Sequence, residues 1–409
     1  MSGFELGKEI VEKLRAAGHI TYFAGGWVRD YLRGEVGDDV DIATSANPEQ
    51  VSQLFPDTIE VGACFGVMIV RHKGQQFEVA MFRQDGEYIN GRQPESVCAS
   101  DPQTDALRRD FTINGMFFDP LNKKILDYVG GREDLEKKVL RAIGDPEKRF
   151  QEDRLRMIRA VRFASRFAFE IDEGTAQGIK RYAHELFPAV AVERVWQELQ
   201  KIKAYSSFDQ AILHFKNLNL LSLIFPELAN LQHSDLENRV ANIKKLSEES
   251  PCILYCLALM PDLECSDYER FCKRYKLSKK DFYFVDLFVA GRGLCARAEV
   301  SAYEWVLFYA QDHVDFCIEC LAAVQKEQYH NDFINLHKKK QNELAMHIDR
   351  KKAKRPLVTA ADLMKKGLKP SPQLGKFLEE AAEISVNKNL HEKEAVIEQL
   401  LIKHGGTFS

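Results

Sequence analysis

The chain has 409 residues and a mass of 46.8 kDa, too much for one compact core, so at least two domains are expected. Hydrophobic residues make up 45% and charged residues 29%, the balance of a folded globular chain and unlike that of disordered, fibrous or membrane-embedded proteins. Lys and Arg number 57 against 61 Asp and Glu, a net charge of −4, so contact with an acidic polymer requires a local basic patch.

Residues Met1 to Ile10 carry Glu5, Lys8 and Glu9 where a secretory signal would need an apolar core. The apolar stretch Cys252 to Met260 is far shorter than the ~20 residues that span a bilayer. A cytoplasmic protein without membrane contact is expected. Nine scattered cysteines fit reduced thiols, and Cys317-x-x-Cys320, which lacks a second pair of ligands and lies in a helical apolar pattern, reads as core rather than zinc.

In chain order, Leu6, Ile10, Val11 and Leu14 predict a helix over 5–17 that ends at Gly18, followed by a strand over 20–24. Gly25 and Gly26 come next, before a helix beginning near Trp27 with Arg29 and Asp30 in its first turn. Two glycines let the backbone approach an anion, the helix start offers free N–H groups, and Arg29 adds a charged donor. Taken alone, such a pair is more often just a turn.

Asp39 and Asp41 alternate with Val40 and Ile42, a strand pattern that puts both carboxylates on one face. Their repulsion is relieved by a divalent cation, and a few carboxylates plus substrate phosphates make a site that suits Mg²⁺. A solvated edge strand, or carboxylates used as caps, is the plainer alternative. Segments 67–71 and 77–83 around Lys73-Gly74 predict a hairpin, and Glu78 on its second strand would supply a third carboxylate and permit two metals. Arg108, Arg109 and Asp110 head a segment in which Phe111, Ile113 and Met116 pack inward; beside a triphosphate, such a guanidinium neutralises phosphate oxygens.

Beyond Asp145 strand signals nearly vanish. A helix over 152–167 would put Met157, Ile158 and Val161 on one sector and Asp153, Arg156 and Arg159 on the other. Asp153 and Arg156, three apart, form either a surface ion pair worth about 0.2–0.5 kcal/mol or a base reader. Asp accepts and Arg donates, which complements the amino group and ring nitrogen shared by cytosine and adenine and opposes uracil and guanine. Helices follow over 192–205 and 208–221. From Leu336 to Lys376, twelve Lys or Arg face three acids, a net +9 within a chain of −4. That stretch is either a solvated helical face or a phosphate-backbone contact surface.

The fold class expected is α+β: an N-terminal head with a small mixed β-sheet and helices, then an all-helical remainder. The order and separation of four motifs, Gly25-Gly26-Trp27-Val28-Arg29-Asp30, Asp39-Val40-Asp41-Ile42-Ala43-Thr44, Arg108-Arg109-Asp110-Phe111-Thr112-Ile113-Asn114, and Glu152-Asp153 with Arg156, Arg159 and Arg162, resemble those of the class II tRNA nucleotidyltransferases, the bacterial CCA-adding enzymes and their poly(A) polymerase relatives. The resemblance covers about residues 20–230 and returns over Pro356–Leu378, where it is similar to the family's tRNA-contacting tail.

The resemblance implies a nucleotidyltransferase head over 1–140, a neck with a base-reading helix over 141–205, a body over 206–330 and a basic tail over 331–409. It implies nucleotide binding by Gly25, Gly26, Arg29, Arg109, Asp110, Asn114, Asp153, Arg156, Arg159 and Arg162. It further implies magnesium on Asp39 and Asp41 with Glu78 as a third catalytic carboxylate, CTP and ATP as substrates, and tRNA as acceptor; no stable protein partner is implied. Lys351, Lys352, Lys354 and Arg355 are the expected RNA contacts. Gly62 to Gly66 lacks the Gly-Arg-Arg-Phe-like signature of bacterial poly(A) polymerases, and Gln84 to Leu107, with Tyr88, Arg92 and Pro94, resembles the full flexible loop of CCA-adding and A-adding enzymes. An A-adding enzyme, a poly(A) polymerase and an inactive tRNA-binding module are the alternatives. Gly115, Met81 and Ala361 depart from the family's usual Ala, Thr and Gly.

Overall fold

The computed structural model describes residues 1–35, 37–62, 65–86, 88–89 and 93–405. The chain divides into two compact units, Met1–Asn230 and Leu231–Ser409.

The first unit opens with α1 (Gly3–Ala16), capped by the Ser2 side chain, which accepts from the Glu5 N–H. Strand β1 (Thr21–Ala24), helix α2 (Gly26–Leu32), β2 (Asp41–Thr44), α3 (Pro48–Leu54) and the strands β3 (Thr58–Gly62), β4 (Val67–His72) and β5 (Gln75–Met81) follow. After α4 (Pro102–Leu107) come β6 (Phe117–Asp119), β7 (Lys124–Leu126) and α5 (Gly131–Lys137). The seven strands form one mixed sheet in the order β7-β6-β1-β2-β5-β4-β3. Only four of these strands are legible in the sequence, because β3, β6 and β7 are short and their pairing is settled by the sheet as a whole.

The β4–β5 hairpin closes at His72 opposite Gln75. Both turn residues, Lys73 and Gly74, have positive φ, the conformation of a two-residue turn whose twist matches the strands it joins. One face of the sheet packs on α1 and α2. Ile10, Val11, Leu14, Phe23 and Val28 are fully buried there, and the rings of Phe4, Phe23, Trp27 and Phe118 cluster within 6.3 Å of one another. The expected loop over 84–107 contains two short antiparallel pairs, Arg83–Asp85 with Val97–Ala99 and Tyr88–Ile89 with Gln93–Pro94. Arg92, the side chains of Tyr88 and Pro94, and residues 63–64 lie outside what is described.

Helices dominate after the sheet. The single helix expected over 152–167 is two: α6 (Pro146–Glu152) ends at Asp153, whose extended backbone (φ −145°, ψ 105°) interrupts it, and α7 (Leu155–Phe167) begins beyond. Neither glycine nor proline marks the break. It is held by the Asp153 carboxylate, which accepts from the Leu155 N–H at 3.0 Å. Helix α7 is buried nearly all round, Arg156 and Arg162 included, and packs against α8 (Val192–Ala204) and α9 (Phe208–Asn217).

The second unit is helical throughout its described residues. Cys317 and Cys320 are fully buried, their thiols donating to the carbonyls of Phe284 (4.0 Å) and Leu254 (3.4 Å), which agrees with a core role. The basic run spreads over four helices, and its Lys351 and Lys352 end the one over Ala345–Lys352, with Lys354 and Arg355 just beyond it and all four exposed.

Candidate active site

A cavity of about 790 Å³ opens within the first unit where β1, β2 and β5 meet α2, α7 and α8. Gly25, Gly26, Arg29, Asp41, Glu78, Arg109, Asp110, Asn114, Asp153, Arg156, Arg159 and Arg162 all line it. Residues from five separate stretches of sequence therefore converge. Asp39 is the expected site residue outside this lining; it is exposed and lies before β2, which begins at Asp41. The expected strand over both aspartates is thus cut short: β1, its pairing partner, ends at Ala24 opposite Asp41, where Gly25 turns the chain into α2.

The sheet sets the carboxylate geometry. Parallel pairing of Ile42 with Val79 puts Asp41 and Glu78 at equivalent positions on one face. Burial first, then the negative charges of Glu78 and Asp39, push the Asp41 carboxyl up to about 6, with Arg109 and Arg29 acting against them. A cation at this point removes that penalty, so the residues fit a divalent metal. Among the described residues no three or more His, Cys, Asp or Glu side chains gather into a protein-only metal cage. Two neighbouring carboxylates are a donor set that suits Mg²⁺, which completes its shell with water and phosphate oxygens.

Gly25 has φ +65°, and a Cβ on it would lie 3.3 Å from Arg109 Nη1 and 3.4 Å from Asp41 Oδ2. Its missing side chain keeps open the space between the Arg109 guanidinium, which attracts a phosphate, and the Asp41 carboxylate, which needs a cation between itself and that phosphate. Around this point nine arginines and five carboxylates line the cavity, so its wall offers an anion more guanidinium than carboxylate groups.

Carboxylates hold many of these arginines in place. Buried Arg29 donates twice to Asp30 (2.8 and 2.9 Å) and once to Asn114 Oδ1 (2.6 Å), beneath the Phe167 ring. Arg159 donates to Asp110 (2.9 and 2.5 Å), which also accepts from Asn114. Burial alone would raise the Asp110 carboxyl, but Arg159 and these hydrogen bonds hold it at about 2. Arg162 donates to Glu198 at 2.6 Å, and Arg156 donates to Glu152 at 2.6 Å.

Asp105, which no sequence motif singled out, is buried at the end of α4 and accepts from Arg108 (2.6 Å) and Arg109 (2.9 Å). Its spacing three and four residues ahead of the two arginines was the available signal. Arg194 was missed as well. It comes from α8, lines the cavity and donates to Asp153 Oδ2 at 3.4 Å, with no local pattern to announce it.

Asp153 and Arg156 both face the cavity, yet not as neighbours on one helix, since the break at Asp153 separates them. In the second unit, Lys351, Lys354 and Arg355 line a cavity of about 590 Å³, and Lys352 does not.

Paired carboxylates beside the opening at Gly25, on a mixed sheet backed by an arginine-rich helix, are the setting of a nucleotidyltransferase site. The chain matches the Poly A polymerase head domain over residues 21–141, the "Probable RNA and SrmB- binding site of polymerase A" over 168–232, and tRNA nucleotidyltransferase domain 2 over 244–401. It is 32% identical to a CCA-adding enzyme of Lactobacillus delbrueckii subsp. bulgaricus over 96% of both chains, and 45% identical to that of Geobacillus stearothermophilus over 47% of this chain and 48% of the other. The crystal structure of the Bacillus stearothermophilus CCA-adding enzyme in complex with CTP superposes with a TM-score of 0.80 at 28% identity, covering 99% of each chain. The Thermotoga maritima CCA-adding enzyme complexed with tRNA shares the fold, with a TM-score of 0.70 at 19% identity over 98% of this chain and 95% of that one. The chain belongs to the CCA-adding enzyme family.

Proposed function

We propose that this enzyme adds CMP and AMP, taken from CTP and ATP, to the 3′ end of tRNA without a nucleic-acid template. The observation that carries this reading is one cavity holding the Asp41–Glu78 carboxylates, the Gly25 opening and the Asp153–Arg156 pair together. Arg29 and Arg109 receive the triphosphate, and Gly25 and Gly26 let it approach the start of α2. Arg159 and Arg162 neutralise further phosphate charge. Asp39 and Asp41 would hold Mg²⁺, with Glu78 adding negative charge beside them; the ion would activate the RNA 3′-hydroxyl and neutralise the departing pyrophosphate. A phosphodiester bond forms as the α-phosphate bond to pyrophosphate breaks.

Base choice rests on hydrogen-bond polarity. Asp153 accepts from the exocyclic amino group and Arg156 donates to the adjacent ring nitrogen, a match for cytosine and adenine that leaves uracil and guanine unpaired. The functional parts follow the division into a head over 1–140, a neck over 141–205, a body over 206–330 and a tRNA-binding tail over 331–409. Such an enzyme works where tRNA matures, in the cytoplasm.

Incubating the full chain with tRNA lacking its terminal CCA, Mg²⁺ and labelled CTP or ATP, separately and together, tests this. Ordered addition of C, C and A is expected, and Asp41→Asn should abolish it while tRNA still binds. Addition of A alone to a CC end would identify an A-adding enzyme, long adenylate tails a poly(A) polymerase, and no addition an inactive tRNA-binding module.

A further inference from the structure

The second unit carries a cavity of about 590 Å³ that nucleotide transfer, as proposed for the first unit, does not use. It lies where the helices Ala302–Tyr309, Ala345–Lys352 and Pro372–Asn387 meet the segment 354–358. Sites for whole small molecules run to about 300–1,000 Å³, so this one has room for more than trapped water. Its lining divides into two chemistries. Val306, Val358, Ala381 and Val386 are buried, and Val358 and Ala381 belong to the hydrophobic cluster of the C-terminal helices, which makes this wall apolar and preformed. Arg350, Lys351, Lys354 and Arg355 bring four cations against one carboxylate, Glu379.

We infer that this cavity binds a small organic anion, with an apolar body on the valine and alanine wall and an oxyanion head held by Arg350 and the cations beside it. Two observations separate such a site from an ordinary helix end. Cations in the last turn of a helix offset its dipole, which accounts for the presence of Arg350, Lys351 and Lys352 there. It does not account for Arg350 Nη1, which is buried without a hydrogen-bond partner. A donor removed from water and left unpaired costs stability, and an oxyanion in the cavity would satisfy it with a charge-assisted bond. Nor, among the described residues, does any carboxylate form an ion pair with the four cations, whereas Lys393 and Lys403 of the same unit are bound to Asp362 (3.1 Å) and Glu380 (3.0 Å). The apolar wall distinguishes this ligand from an RNA backbone. Exposed Lys351, Lys354 and Arg355 can meet tRNA phosphates, but buried Val306 and Val358 add nothing to that contact. They add affinity only for a molecule that carries apolar surface into the cavity.

Calorimetric titration of the full chain with decanoate, in the absence of tRNA and nucleotide, tests the site. One decanoate per chain is expected to bind. Decan-1-ol and inorganic phosphate, which each supply half of the chemistry, should bind at least about tenfold more weakly. Arg350→Met should weaken decanoate binding by about ten- to a hundredfold, the range of one hydrogen bond to a charged group, and leave decan-1-ol nearly unchanged. Ala382→Trp, which fills the cavity from its half-buried wall, should abolish the binding of both. On the unaltered chain, decanoate should slow amide hydrogen exchange over 345–358 and 378–386, which locates the site even where a variant fails to fold. Absence of saturable decanoate binding overturns the proposal. Equal affinity for decan-1-ol, unchanged decanoate affinity in either folded variant, or protection confined to other segments overturns it as well.

Discussion

Arg108 and Arg109 owe their orientation to a carboxylate set behind them, and this arrangement makes Asp105 a sharper probe of the site than the arginines. Asp105 is 1% exposed and shared by two guanidiniums. Burial works against its charge, but the two arginines outweigh that and keep the carboxyl below its ordinary range. Removing one partner from a buried ion cluster leaves the others uncompensated, at a cost of about 3 kcal/mol or more. Asp105→Asn should therefore lower the unfolding free energy measured in urea by that amount and raise KM for CTP and ATP together, because Arg109 loses its anchor. A variant with unchanged stability and KM would show that Arg109 is held by the Asn114 carbonyl, its other partner at 3.3 Å. Asp105 was within reach of sequence reasoning, since its two partners lie within one helical turn. Asp110 was legible only in part: its motif marked it, but the Arg159 partner 49 residues on depends on how α7 docks.

At the scale of elements, short connections decide what faces the cavity. The break at Asp153 turns a predicted amphipathic helix into two, and α7 becomes a buried helix whose arginines are individually paired. Helical periodicity reports which side chains are apolar, and it correctly placed Met157, Ile158 and Val161 in the core. It cannot report a helix end made by an aspartate capping the residue two ahead, because Glu-Asp-Arg is compatible with an unbroken helix. Gly115 ends the short turn Thr112–Asn114. A Cβ there would meet Val129 Cγ2 at 2.7 Å and Ile143 Cδ1 at 3.0 Å. Gly115→Ala should thus destabilise this chain by about 1–3 kcal/mol through overpacking, read as a lower thermal midpoint. Pairing it with Val129→Ala should restore much of the loss; a Gly115→Ala variant as stable as the parent would mean that Val129 and Ile143 yield without cost.

On the scale of the whole molecule, charge is divided along the chain, with a net +9 segment inside an otherwise acidic protein. Lys351, Lys352, Lys354 and Arg355 are exposed together, as a phosphate-contact surface requires. Reversing all four to Glu should weaken tRNA binding and flatten the slope of log K against log salt, by about 0.7–0.9 for each phosphate that is no longer neutralised. An unchanged slope would assign them to a solvated face.

The second unit also carries a pH-sensitive element. His337 is buried, bonded to the Tyr309 hydroxyl at 2.7 Å and packed on Trp305 and Phe333; burial chiefly, with Lys340 beside it, depresses the imidazole from 6.5 to about 4. The unfolded ring takes up a proton as pH falls through 6.5, whereas the folded ring resists until about 4. Stability is therefore full above 6.5 and falls across that window, by roughly 3 kcal/mol for this group. Urea unfolding of the parent and His337→Gln between these pH values should give curves that converge toward acid, and parallel curves would assign the acid sensitivity elsewhere.

Whatever depends on near neighbours in the chain was determined by the sequence alone: the helix–strand opening, the glycine pair before α2, the Lys73-Gly74 hairpin, the alternation around Asp41 and the basic run. Backbone sterics, side-chain periodicity and charge spacing act over a few residues and leave a local trace. Only the tertiary structure decided that Asp39 stands outside the strand, that β3, β6 and β7 complete the sheet, and that α8 lends Arg194 to Asp153 and Glu198 to Arg162. Those outcomes depend on which distant surfaces pack together, and a partner 36 or 41 residues away leaves no periodicity for the sequence to display.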